Sequence, residues 1–185
     1  MIWRRHSELE GQHSFLSPSK SAWLRYDDDK IAETYKNFQA AARGTKLHEI
    51  ARQLIEEKIK LPRTQKTLDH FVNDAIGFGM NSEQVLYYSD NAFGTADAIS
   101  FKNGKLRVHD LKTGVTHVSM DQLLIYAAFF CLEYGIKPSD IEIMLQIYQN
   151  DQVIFHNPQA DEIVPIMDRI VTANKIIEQI KEEDK

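Results

Sequence analysis

The spacing of apolar residues changes period several times along this chain, and each change marks an element. Ile31, Tyr35, Phe38 and Ala42 recur at helical spacing. Leu47, Ile50, Ala51, Leu54 and Ile55 form a second helical stripe within residues 43–60, set off from the first by a break near Gly44 and closed before Pro62. A third helix is predicted over Thr67–Phe78, where Leu68, Phe71, Val72, Ala75 and Ile76 are apolar and Gly77 and Gly79 mark the end. Glu83–Ser89 reads as a strand, followed by a hairpin over residues 93–112. Residues 119–135 are hydrophobic nearly all round, which predicts a buried helix. Ile141, Ile143, Leu145 and Ile147 then alternate as a strand, Asn150-Asp151 turns into Gln152–His156, and Pro158 opens a last amphipathic helix. Upstream, Ser17 caps a short helix running to Trp23, and Asp27-Asp28-Asp29 reads as a solvated cap of the next one. This order predicts an α/β sandwich with a small mixed sheet flanked by helices.

The hairpin carries the first chemistry. Asn103-Gly104 is the strongest short signal for a type I′ turn, since both central residues need positive φ. A loop of that length sets Lys102 opposite Lys105, Phe101 opposite Leu106 and Asp97 opposite Asp110. Asp97, Ile99, Phe101, Leu106, Val108, Asp110 and Lys112 then share one face, with Ser100, Lys102, Lys105, Arg107 and His109 on the other. Opposed carboxylates at the edge of an apolar face repel unless a cation joins them. Oxygen ligands of this kind suit Mg²⁺ or Mn²⁺. Lys112 would orient a water or neutralise a phosphate. A surface hairpin with scattered charges is the plainer reading, and the apolar character of the shared face argues against it.

Composition narrows the field only slightly. At 185 residues, 43% hydrophobic and 26% charged, the chain fits one soluble globular domain with a real core. A net charge of −5 does not advertise a nucleic-acid binder, although it leaves room for a local basic groove. The single cysteine, Cys131, sits in an apolar run and excludes both an internal disulfide and a four-cysteine cluster. Met1-Ile-Trp-Arg-Arg lacks the apolar core of a signal peptide, and the run from Leu123 to Leu132 is too short for a bilayer. A cytoplasmic location with no membrane partner is expected. Trp3-Arg4-Arg5-His6 is a basic and aromatic cluster that fits either a nucleic-acid contact or a frayed end.

Three motifs in order carry a family resemblance. Gly94-Thr-Ala-Asp97, Asp110-Leu-Lys112-Thr-Gly and Gln122-Leu-Leu-Ile-Tyr126 together resemble the PD-(D/E)XK nuclease superfamily, in its RecB-like branch of phage exonucleases and CRISPR adaptation nucleases. Gly44-Thr-Lys-Leu-His48 resembles that branch's upstream helical histidine. Ser17-Pro-Ser19-Lys20-Ser-Ala-Trp23 is similar to its N-terminal stretch, with Tyr26 where cluster-bearing relatives place a cysteine.

The resemblance implies a restriction-endonuclease-like αβββαβ core over residues 43–185 with a helical extension at 1–42, all in one nuclease domain. It implies that His48, Asp97, Asp110 and the Leu111 carbonyl hold Mg²⁺ or Mn²⁺, with Asp97, Asp110 and Lys112 as the catalytic set and no iron–sulfur cluster. Gln122, Tyr126, Arg43, Ser19 and Lys20 would contact the substrate phosphates. The plainer reading of the residues alone makes Gln122 and Tyr126 a pair of satisfied core hydrogen bonds, His48 a boundary histidine, and Ser19 part of a capped helix packing Trp23. The activity implied is metal-dependent hydrolysis of DNA, as an exonuclease acting on strand ends in phage or recombination and repair processing, with a recombination protein as partner, oligomerisation open, and a host-cytoplasm location if phage-encoded. The alternative is a nuclease fold kept as a silent nucleic-acid- or protein-binding module.

Overall fold

A computed structural model describes residues 14–16, 18–114 and 118–183. The Trp3–His6 cluster, Ser17, and the side chains of Ser19 and Lys20 lie outside that description. The chain divides into two compact units, Met1–Thr45 and Lys46–Lys185.

The first unit holds a 3-10 helix, Pro18–Arg25, and the opening turns of helix α1, Asp28–Glu56. Asp27 caps α1: its Oδ1 accepts from Lys30 N at 2.8 Å, as the acidic run predicts. Phe15, Tyr35 and Phe38 form an aromatic cluster with centroids 5.1 to 6.2 Å apart. The expected break at Gly44 does not occur, and α1 runs through it. One glycine costs about 1 kcal/mol against alanine, too little to end a helix flanked by strong helix formers. Helix α1 also ends earlier than predicted, at Glu56. Lys58 adopts φ 56°, and Ile59 N donates to Leu54 O at 2.9 Å, which closes a Schellman cap before Pro62 is reached.

The second unit is an α/β layer structure. Helix α2 spans Thr67–Phe78, strands β1, β2 and β3 span Asn81–Ser89, Ala92–Lys102 and Lys105–Leu111, and helix α3 spans Asp121–Tyr134. Strands β4 (Glu142–Gln149) and β5 (Gln152–His156) and helix α4 (Ala160–Glu183) complete it. The strands form one five-stranded sheet in the order β1-β2-β3-β4-β5. Neighbours are antiparallel except β3 and β4, which are parallel because α3 crosses over between them. The hairpin register is the one Asn103-Gly104 dictates, with Lys102 paired to Lys105 and Phe101 to Leu106. Asn103 and Gly104 take φ 52° and 72°.

Two apolar cores sandwich the sheet. On one face Ile99, Leu106, Val108, Leu145 and Ile147 pack with Leu123, Ala127 and Phe130 of α3 and Ile163 of α4. On the other, Ala98, Leu111 and Tyr148 pack with Ala51 and Ile55 of α1 and Phe71, Val72 and Ala75 of α2. The hairpin's more polar face is therefore covered near its centre. His109 is fully buried there, its Nδ1 3.2 Å from the Tyr148 hydroxyl, which donates to Asp74 Oδ2 of α2 at 2.8 Å. Burial, then the charge of Arg107, pushes the His109 imidazole down to about 3, so it stays neutral.

Strand β2 departs from simple alternation at one point. Ala96 packs into the α3/α4 core and Ala98 into the α1/α2 core, although a regular strand would keep both on one side. Asp97 sits at that switch. Among the described residues no helix is long and apolar enough to cross a membrane.

Candidate metal and phosphate site

The switch in β2 turns Asp97 toward helix α1. Its Oδ2 accepts from Leu111 N at 2.7 Å, and its Oδ1 lies 3.4 Å from His48 Nδ1. His48 comes from α1 one turn before Ala51, whose burial fixes that face of the helix against the sheet. A third group joins them that the hydrophobic pattern did not single out. Glu83 of β1 lies between the pairs Ser82–Ala98 and Gln84–Ala96, and so falls opposite Asp97. One ligand atom from each of His48, Glu83 and Asp97 lies within 4.8 Å of the others. Glu83 holds φ 48°, a left-handed backbone that side chains other than glycine rarely adopt.

Asp110 stands beside this group and not in it. It is 2% exposed; its Oδ1 accepts from Lys112 Nζ at 3.0 Å, while the buried Oδ2 has no partner among the described residues. Lys112 Nζ also donates to Gln122 Oε1 at 2.8 Å. Gln122 Nε2 donates to the Tyr126 hydroxyl at 3.3 Å, and that hydroxyl donates to Thr95 O at 2.6 Å. The chain from Asp110 to Thr95 thus ties β3, the segment after it, α3 and β2 into one rim. Gly94 makes room for it, since a Cβ there would lie 2.9 Å from Tyr126 Cε1.

The electrostatics are those of a group of carboxylates gathered round one imidazole. His48 is held above its ordinary value by its hydrogen bond to Asp97, then by the charges of Asp97, Glu83 and Asp110, against the opposing effect of burial. Asp110 is raised by burial and by the charge of Asp97, with Lys112 and His48 pulling the other way. Glu83 is raised by what burial it has and by Asp97. Carboxylates raised by one another's charge and an imidazole raised by the same charges mark a crowded anionic site. An imidazole, two or three carboxylates and one orphaned carboxylate oxygen make a donor set that fits a divalent ion of the Mg²⁺ or Mn²⁺ kind.

Leu111 buries its side chain in the α1/α2 core and gives its N–H to Asp97. Arg43 belongs to the first unit, where its Nε donates to Gln39 O at 3.4 Å. Glu83 is the member that sequence reasoning missed. Its strand was recognised, but the pairing that brings it to Asp97 was not. No protein-family model matches the chain, and no curated protein matches it.

Proposed function

We propose that the chain is a metal-dependent nuclease of the PD-(D/E)XK type, RecB-like, hydrolysing phosphodiester bonds in DNA. The observation that carries this reading is a convergence. His48 of α1, Glu83 of β1, Asp97 of β2, Asp110 and Lys112 of β3 and its end, and Gln122 and Tyr126 of α3 gather around the neighbouring strands β1, β2 and β3. His48, Asp97 and Glu83 would hold a Mg²⁺ or Mn²⁺ ion, with the free Asp110 oxygen beside them. When bound, such an ion supplies Lewis-acid stabilisation of phosphoryl charge and a more acidic water.

The chain's own residues do the positioning. Lys112 aims an ammonium at the space next to Asp110, where it would donate to a phosphoryl oxygen or to the attacking water. Gln122 holds that ammonium from the far side, and Tyr126 holds Gln122, so that the lysine enters the site along one direction. The family resemblance favours strand ends as substrate. The net charge of −5 counts against tight non-specific nucleic-acid binding and keeps open the other reading, a catalytically silent binding module on the same fold.

The test uses linear duplex labelled at either end, single strand and closed circle, each with Mg²⁺, Mn²⁺ or chelator. Cleavage only with metal supports the nuclease; binding without cleavage under every metal condition transfers the case to the binding module. A second prediction follows from the rim. Gly94→Ala places a methyl where the Tyr126 ring now lies, so the ring must move off Thr95. Turnover is expected to fall by up to about 10²-fold, the scale for misplacing a positioning group by roughly 1 Å. Calorimetric Mn²⁺ affinity should not change, because no ligand has moved. Unaltered turnover would remove Tyr126 from the positioning chain.

A further inference from the structure

A cleft of about 430 Å³ adjoins the site on its α1/α2 side. Its walls include Leu47 of α1, Lys66 and Leu68 at the start of α2, Lys112 after β3, and Asn150 and Asp151 in the β4–β5 turn. Lys112 borders both the cleft and the carboxylate rim, so the two lie side by side. Strands β3 and β4 are parallel, and the cleft lies beyond their carboxyl ends, where open α/β sheets receive ligands.

Lys66 is the residue that local folding does not explain. It is the N-cap of α2, with φ −74° and ψ 138°, and its side chain makes no capping bond. Serine, asparagine and aspartate are preferred there, and a cation opposes the positive end of the helix dipole. The capping is done from elsewhere in the chain. Asp151 Oδ1 accepts from Thr67 N at 2.8 Å and from Thr67 Oγ1 at 3.0 Å, so that carboxylate is already engaged with the helix end. The Lys66 ammonium is in no ion pair among the described residues, and it is exposed at the cleft. Its charge favours the ionised Asp151 beside it, and a residue that breaks a local capping rule is the kind found at functional positions.

We infer that this cleft seats the nucleotide next to the bond being cut, with Lys66 holding its phosphate and the leucine walls facing its base. The inference rests on the nuclease reading and adds a substrate contact to it. One exposed lysine beside Leu47 and Leu68 matches a nucleotide, an anion joined to a flat apolar ring, while the Asp151 carboxylate in the same cleft is turned onto the Thr67 N–H and hydroxyl.

The variant Lys66→Ser separates ligand from fold, because serine is a preferred N-cap and the protein should melt no lower than wild type. The probe is a fluorescein-labelled oligodeoxythymidylate, titrated by anisotropy in chelator over a series of KCl concentrations. Loss of one phosphate contact should lower the slope of log K against log salt by about 0.7 for a single strand. In cleavage assays with Mg²⁺, KM should rise several-fold with kcat unchanged. Lys175→Ser on α4 serves as the control and should leave the slope and KM as in wild type. If wild type cleaves and Lys66→Ser keeps both the slope and KM, the cleft seats no phosphate and the inference falls while the nuclease stands. If wild type neither binds nor cleaves the oligonucleotide, both fall together.

Discussion

Lys112→Ala is expected to lower turnover by about 10²- to 10³-fold, the range for removing one preorganised donor at developing charge. Among the described residues the lysine is the one cation bonded to Asp110, and Gln122 fixes its direction. It is not a ligand, so calorimetric Mn²⁺ affinity should stay the same or tighten, since one competing positive charge is gone. Asp110, left with no partner on either oxygen among the described residues, should keep its proton to still higher pH. Near-normal turnover in the variant would take Lys112 out of the chemistry altogether and leave the rim as a structural network.

Asp110→Asn should have the opposite pattern on stability and the same pattern on activity. Burial and the charge of Asp97 raise the Asp110 carboxyl, so the native state holds its proton more tightly than the unfolded chain does. Its contribution to metal-free stability is therefore present at acid pH and is lost as pH rises through the raised native value. In chelator the asparagine variant should match wild type near pH 4 and exceed it near pH 7, that is, across roughly the ordinary carboxylate range and above. Metal reverses the order. A ligand at about 100 times its Kd stabilises by about 2.7 kcal/mol, which for a chain of this size raises Tm by roughly 5–10 °C. Wild type should show that shift and Asp110→Asn much less of it. If wild-type Tm ignores Mg²⁺ and Mn²⁺ at saturating concentration, and calorimetry shows no heat of binding, the carboxylate site is not a metal site.

The buried His109 shows why pattern reading stops short of the interior. Period-2 alternation correctly set it on the face away from Asp110, but alternation cannot say what covers a face. Helix α2 does so here through Phe71, Val72 and the Asp74–Tyr148 bond. The continuity of α1 through Gly44 was hidden for a related reason, since a local propensity of about 1 kcal/mol was read as a boundary that the flanking residues override.

The elements and the hairpin register were legible because their signals are local and steric. Gly79 and Gly135 end α2 and α3 in the left-handed conformation that favours glycine, with φ 58° and 64°. Asn103-Gly104 admits one turn type and hence one pairing, which carries Asp97, Asp110 and Lys112 to the same end of the hairpin. The position of Glu83 was not legible, for an equally definite reason. A plain two-residue loop at Asp90-Asn91 pairs Ser89 with Ala92, and that register continued down the strands would set Glu83 opposite Ala98. An irregularity between Tyr87 and Ser89 shifts the ladder by one residue and brings Glu83 to Asp97 instead. Such a shift has no compositional signature. It is chosen by how Leu86 and the partly buried Tyr88 pack against the α3 core, so only the tertiary structure decides which carboxylates meet.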